Sequence, residues 1–232
     1  FPQLSMVNPD LWWPYQWGPA NLYGLKMEFK IGNTTSDSAQ IKFGIRKITQ
    51  HRDSDNRFPQ LGGGGNFYLQ VNGIDFPVRG ADYEPDLLYK YSEDREQSIL
   101  RYVKDLGLNL LRWESKISSE HIIDLADEEG IPVMLGWMCC NQWEKWNQWD
   151  EEDHRVARES LRAQIRMLRS HASVFLWANG SDGLAPADVR KDYRQILSDL
   201  HWQNATVDTV SSFNKDATGK IWWDGIRMQG PY

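Results

Sequence analysis

The chain has 232 residues, of which 41% are apolar and 25% charged, and its net charge is −6. That is a globular composition with room for one large domain or two smaller ones, and it excludes a disordered chain. An acidic balance is the opposite of what a nucleic-acid binder carries, and no apolar run reaches the about 18 residues a membrane-spanning helix needs, so neither nucleic acid nor membrane is an expected partner.

Residues 1–50 read as β-structure. Leu25–Ile31 alternates apolar and polar, Gly32-Asn33 marks a turn, and Ala39–Arg46 alternates again. This is too little chain for a β-sandwich and reads as the last strands of one. Residues 51–66, polar and ending in Gly62–Gly65, read as a loop or linker. From residue 67 the rhythm changes. Asn72-Gly73 predicts a hairpin between Phe67–Val71 and Ile74–Arg79, with Phe76–Arg79 as the first strand of a new series. Ser92 opens a helix with Ile99, Tyr102, Val103 and Leu106 on one face, and Gly107 ends it. Leu108–Trp113 is a strand. Ser118 or Ser119 opens a second helix, with Ile122, Leu125 and Ala126 inward and Gly130 at its end. Ile131–Trp137 is a strand, Asp153–Arg169 a helix with Ala157, Leu161, Ile165 and Leu168 on a stripe, and Ser173–Ala178 a strand. Pro186 suits the first turn of a last helix facing Val189, Tyr193, Ile196, Leu197 and Leu200 inward, and Val207–Ser211 is a fifth strand.

Apolar strands alternating with amphipathic helices imply an α/β fold with a parallel sheet covered on both faces. Gly80-Ala81-Asp82-Tyr83-Glu84-Pro85 is not the glycine-rich turn of a dinucleotide-binding sheet, and there is no phosphate-binding loop, so an eight-stranded (β/α)8 barrel is favoured, with about five of its strands present in residues 67–232. Such barrels build active sites at the C-terminal ends of their strands. The groups expected there are Asp82, Tyr83 and Asp86 after the first strand and Arg112 with Glu114 at the end of the second. Trp137 and Met138 lie at the end of the third strand, and Trp177, Ser181 and Asp182 lie at or after the fourth. Carboxylates and amides pair with hydroxyls and indoles stack on ring faces, so this rim suits carbohydrate. The alternatives are an Arg112–Glu114 structural ion pair and an Asp182 that caps the helix near Pro186.

Twelve Trp residues serve core packing as well as sugar stacking. Cys139-Cys140 is either a vicinal disulfide or a pair of thiols and cannot make a four-ligand zinc site. His51, His121, His154, His171 and His201 show no ligand spacing, so no metal and no cofactor is expected. Sequons at Asn33, Asn179 and Asn204 lean toward secretion, although Asn179 cannot be both glycosylated and at the mouth of a site. The chain opens Phe1-Pro2-Gln3, without an initiator Met or a signal-peptide pattern, and is expected to be a processed product or a piece of something longer.

These residues resemble a family. Leu11-Trp12-Trp13-Pro14 with Leu22-Tyr23-Gly24-Leu25 is similar to the strand pair near the end of the immunoglobulin-like domain of glycoside hydrolase family 2. Phe43-Gly44-Ile45-Arg46 resembles that family's exit strand, and Asn72-Gly73 through Arg79-Gly80 its first barrel strand. Gly136-Trp137, Cys139-Cys140, Trp143-Glu144, Gly180-Ser181-Asp182 and Met228–Tyr232 resemble the exo-β-D-glucosaminidase branch, which trims chitosan oligomers. The resemblance implies an immunoglobulin-like end over 1–50 and a retaining glycosidase whose general acid/base is Asp182. It makes Ser181 the neighbour of that acid and Asp82, Asp86 and Glu114 lining of the sugar pocket. The nucleophile, a Glu on a later strand, is not in this chain, whose last Glu is Glu159, so the rest of the polypeptide is needed to close the barrel and complete the site. The branch carries Glu where this chain has Met138, which keeps a β-mannosidase-type specificity and an inactive sugar-binding fragment as alternatives.

Overall fold

The computed structural model describes residues 4–52, 67–114, 119–138, 141–211, 213–215, 221–223 and 226. Two antiparallel units come first. β1 (Tyr23–Ile31) and β2 (Thr34–Phe43) pair from Tyr23↔Phe43 to Ile31↔Thr34 around Gly32, whose φ of +60° lies in the left-handed region that glycine enters without steric cost. The alternation of β1 leaves Met27, Phe29 and Ile31 exposed on one face. β3 (Ile48–Arg52) pairs with β4 (Phe67–Val71), which turns through Asn72-Gly73, both at positive φ, into β5 (Ile74–Phe76). Strand pairing therefore spans the stretch expected as a linker. Gly62–Gly65 lies outside the described residues.

The rest is built from β6 (Gly80–Tyr83), α1 (Glu93–Asp105), β7 (Leu110–Trp113), α2 (His121–Glu129), β8 (Val133–Gly136), α3 (Glu151–Leu168), β9 (Val174–Ala178), α4 (Ala187–Asp199) and β10 (Ala205–Val207). The five strands form one parallel sheet in the order β10-β9-β8-β7-β6. A short hairpin, β11 (Phe213–Lys215) with β12 (Ile221–Trp223), follows. Every residue of β7, β8 and β9 is buried, as continuous apolar runs require when both faces are covered.

Local chemistry moved several boundaries. The first parallel strand is Gly80–Tyr83, not Phe76–Arg79. Phe76 is taken by the hairpin, and Asn109 stitches the connection by accepting from Arg79 N (2.7 Å) and donating to Pro77 O (2.8 Å). The fifth strand ends at Val207, not Ser211, because the amides of Val210 and Ser211 turn away to the Ser181 carbonyl, each at 3.0 Å. In α1, Glu96, Leu100 and Val103 are buried while Tyr102 and Leu106 are exposed. A carboxylate can replace an apolar residue on that stripe because Glu96 accepts from Ser119 Oγ at 2.7 Å and pairs with His121 Nδ1 at 2.9 Å. α3 begins at Glu151, two residues before the expected Asp153. Asp150 accepts from Glu152 N and Asp153 N while the Asp153 side chain accepts from Asp150 N, closing a capping box.

Two apolar clusters lie on the two faces of the parallel sheet. One joins Leu111, Trp113, Val133, Leu135 and Trp177 to all four helices. The other joins Leu110, Met134 and Leu176 to Trp12, Ile48, Leu69, Val71 and Phe76, and leaves an apolar cavity of about 290 Å³ below Arg112. The N-terminal segment locks onto the end of the sheet where the strands begin. Trp12 is fully buried, takes Ile45 O through its amide and Asp127 O through its indole, and sets its ring edge against Phe175. Arg46 donates to the carbonyls of His171, Ala172 and Val174 at 2.8–3.2 Å, and burial pushes its pKa down to about 10, so it is still a cation at neutral pH. Gly44 passes where a Cβ would lie 2.6 Å from Ala172 Cβ. Under this contact the fold assembles Asp124, Asp127 and His171 with ligand atoms within 4.8 Å, a grouping that the spacing of the histidines did not suggest. Asp127 Oδ2 bonds His171 Nδ1 at 2.8 Å and Oδ1 accepts Ser173 N at 2.7 Å, so the buried carboxylate ties α2 to the start of β9.

Burial alone would lower the pKa of His171, but Asp127, then Asp124 and Glu120, outweigh it and raise it above the ordinary 6.5. The folded state therefore holds this proton more tightly than the unfolded chain. The stabilisation is complete below about pH 6.5 and is lost as pH rises through the raised value. Thermal unfolding midpoints should fall across that rise, and His171→Gln should flatten the dependence. An unchanged slope in the variant would show that other groups carry it.

Candidate active site

The C-terminal ends of the five strands face one rim. β7 delivers Arg112 and Glu114, and the segment after β9 delivers Ser181 and Asp182. Ser181 is 1% exposed and joins them: Arg112 Nη2 donates to its hydroxyl at 2.6 Å, and the hydroxyl donates to Glu114 Oε1 at 2.6 Å. Arg112 also pairs with Glu114 at 3.3 Å and with Asp82 of β6 at 3.4 Å. The Arg112–Glu114 ion pair foreseen as an alternative does exist, with a serine set into it. Arg112 is nearly buried, so its charge depends on these partners.

Ser181 is held through its backbone as well. Its carbonyl accepts Val210 N, Ser211 N, Thr209 Oγ1 at 2.9 Å and Ser211 Oγ at 3.3 Å. Its amide donates to Glu144 Oε1 at 2.7 Å. Asp182 therefore projects from a turn fixed on both sides. Its carboxyl accepts from Ser211 Oγ at 2.9 Å and is exposed. The helix-cap alternative fails, because α4 begins after Pro186 with no side-chain cap.

The other expected residues divide. Asp82 is half-exposed at the rim and Tyr83 packs edge-on against Trp113, its hydroxyl pKa raised by burial against the opposing pull of Arg95. Asp86 is committed to its own loop. It accepts from Leu88 N and Lys90 N and pairs with Arg95, and these partners, in that order, hold its pKa below the usual value. Trp137 and Trp177 do not present faces to a ligand. Trp177 is 2% exposed and donates to Asn179 Oδ1, and Trp137 stacks on Trp143 at 4.2 Å and meets Trp177 edge-on at 5.1 Å. Two large indoles cost least in contact with each other, so they build the wall behind the rim. Met138 is half-buried two residues beyond β8, with Asn141 Nδ2 2.9 Å from its sulfur. Cys139 and Cys140, like Met228–Tyr232, lie outside the described residues.

Two contributors were not foreseen. Glu144 reaches across 37 residues to the Ser181 turn, and only its place in the Trp143-Glu144 pair marked it. Asp208, buried after β10, pairs with Arg194 and with Arg190 and accepts from Asn179 Nδ2 at 3.2 Å. Asn179 is therefore buried and bonded, which removes it as a glycosylation site. A rim of carboxylates, with the exposed Asp182 carried on a fixed turn, can hold hydroxyl groups and pass a proton to a bound ether oxygen.

Residues 2–46 match glycosyl hydrolases family 2. The exo-β-D-glucosaminidase of Streptomyces avermitilis is 33% identical over an alignment of 238 positions that covers all of this chain and 25% of that protein. β-Mannosidase A of Aspergillus aculeatus is 30% identical over 191 residues, 77% of this chain and 20% of that protein. The crystal structure of the Amycolatopsis orientalis exo-chitosanase superposes with a TM-score of 0.86 at 30% identity, over 98% of this chain and 26% of that one. The chain thus spans about a quarter of the length of these relatives. It belongs to glycosyl hydrolases family 2 and is similar along its whole length to exo-β-D-glucosaminidases.

Proposed function

We propose that this chain is the acid-bearing segment of a retaining glycoside hydrolase that releases β-linked D-glucosamine from the non-reducing end of chitosan oligosaccharides. The observation that carries the reading is the Ser181-Asp182 turn, which holds one exposed carboxyl at the C-terminal rim of a parallel sheet. Similarity along the whole chain to exo-β-D-glucosaminidases supports the substrate, as does a structure of the Amycolatopsis orientalis exo-chitosanase in complex with PNP-β-D-glucosamine. On this reading the five strands are the first five of a (β/α)8 barrel. The exposed edge of β6 is where the last strand would pair, and the bare apolar face of β1 is where the rest of an immunoglobulin-like sandwich would pack. Residues 1–50 would close that sandwich and 67–232 open the barrel. Export from the cell rests on the sequons at Asn33 and Asn204 alone.

In the reaction, Asp182 donates its proton to the glycosidic oxygen as the C–O bond breaks. A carboxylate from a later strand, about 5–5.5 Å away, attacks the anomeric carbon from the opposite face. Asp182, now ionised, takes a proton from the water that releases the sugar. Glu114 and Asp82 accept hydroxyl groups at the rim. This chain alone, without the second carboxylate, turns over no substrate.

Met138 and the 30% identity to a β-mannosidase favour the second reading, a family 2 enzyme for another sugar.

Asp182→Asn in the full-length protein should slow cleavage of a sugar or alkyl leaving group by about 10²–10⁴-fold and an acidic phenol leaving group much less. Equal, modest losses on both would move the acid elsewhere, with Glu114 next to be tested. Met138→Glu should raise the preference for the glucosaminide over the plain glucoside by roughly ten- to a hundredfold, the worth of one charge-assisted hydrogen bond of about 1.5–3 kcal/mol. A ratio of kcat/KM values that does not move would show that another group meets the amine.

A further inference from the structure

We infer that Glu144 is a positioning residue for Asp182, resting on the reading of Asp182 as the general acid. The inference starts from a geometric coincidence at the turn. Glu144 Oε1 accepts Ser181 N at 2.7 Å and Gly183 N at 2.9 Å, so one carboxylate oxygen takes the amides on either side of Asp182. Two donors on one acceptor fix both the distance and the tilt of the intervening residue, and a charged acceptor makes each bond about twice as strong as a neutral one.

The acceptor is itself held. Glu144 closes a 3₁₀ turn, Gln142–Glu144, whose start is capped by Asn141 Oδ1 on Trp143 N at 2.9 Å. Trp143 is pinned by its stack on Trp137, and Trp149 Nε1 bonds Gln142 O at 2.8 Å. The receiving turn is cut to fit. A Cβ on Gly183 would lie 2.8 Å from the Trp146 ring, and one on Gly180 would lie 2.7 Å from Gly183 O. Only glycine at both positions lets the backbone close on the carboxylate. From the other side, the Ser181 carbonyl is held by Val210, Ser211 and Thr209, and Ser211 Oγ bonds the Asp182 carboxyl itself. Asp182 thus stands between a carboxylate clamp from the β8–α3 connection and a hydroxyl–amide clamp from the segment after β10. The direction of its acid proton is set by both. Proton transfer to a leaving oxygen depends on that direction, and a displacement of about 1 Å costs about 10²-fold.

The test uses the full-length protein with two aryl or alkyl β-glucosaminides, one with a poor leaving group and one with an acidic phenol. Glu144→Leu should slow the poor substrate by about 10²-fold and largely spare the acidic phenol, and in combination with Asp182→Asn it should add little further loss. Glu144→Gln keeps a carbonyl oxygen that can accept both amides and should restore most of the activity. If Glu144→Leu does not fold, Glu144→Asp, one bond shorter and unable to span both amides, should show the same leaving-group signature. The inference is overturned if the Leu or Asp variant slows both substrates alike, if losses multiply in the double variant, or if Gln behaves as Leu does. Asp182→Asn is the control: without leaving-group dependence there, the reading of Asp182 fails and Glu144 has no acid to position. With that dependence present and the Glu144 signature missing, only the inference about Glu144 fails.

Discussion

A buried serine organises the rim. Ser181 accepts from Arg112 and donates to Glu114 through its hydroxyl, gives its amide to Glu144, and receives four donors on its carbonyl. Through it, the ends of β7 and β9, the connection after β8 and the segment after β10 meet at one residue. A guanidinium as buried as Arg112 depends on its anions being in place. The rim is therefore stiff for an electrostatic reason. A serine suits the centre because its hydroxyl both donates and accepts, and bridges a cation to an anion without adding charge.

The opposite end of the sheet is held by different chemistry. There Trp12, Gly44 and Arg46 close on β9 by shape and by hydrogen bonds to the main chain, with Arg46 donating to three carbonyls at and just before the start of the strand. The Asp127–His171 pair backs this contact from α2. The N-terminal segment that matches the family over residues 2–46 thus touches the molecule through its scaffold end, and the groups able to do chemistry gather at the other. That division between a stability end and a chemistry end is what a parallel β/α sheet offers.

The two edges of the parallel sheet differ. Gly80, Ala81 and Asp82 of β6 are exposed, while Tyr83 is half-buried. At the far side Gln50 turns its side-chain amide onto Thr206 of β10, accepting the N–H at 2.6 Å and donating to the C=O at 3.0 Å, so that it stands in for a neighbouring strand. Backbone groups on an open edge seek partners, and here a side chain provides them.

Helix and strand periodicity, and the punctuation of Gly32, Gly73, Gly107 and Gly130, were enough to read the alternation of strands and helices, the hairpins and the buried stripe of α3 from the sequence, because these depend on neighbours a few residues apart. The strand-end logic also named Arg112, Glu114, Ser181 and Asp182 as companions before their distances were known. What the sequence could not decide were matters of long-range pairing. Glu96 is inward because Ser119 and His121 wait for it, and β10 stops early because the Ser181 carbonyl claims the amides that follow. Trp137 and Trp177, chosen for their sugar-stacking faces, spend those faces on each other and on Trp143. Glu144, one acidic residue among many in the chain, becomes part of the site only because the fold carries it 37 residues along the chain to a pair of amides. Local sequence determined which elements form, and tertiary structure decided which polar groups share a buried space, since the energy of burying a charge depends on partners that no short window contains.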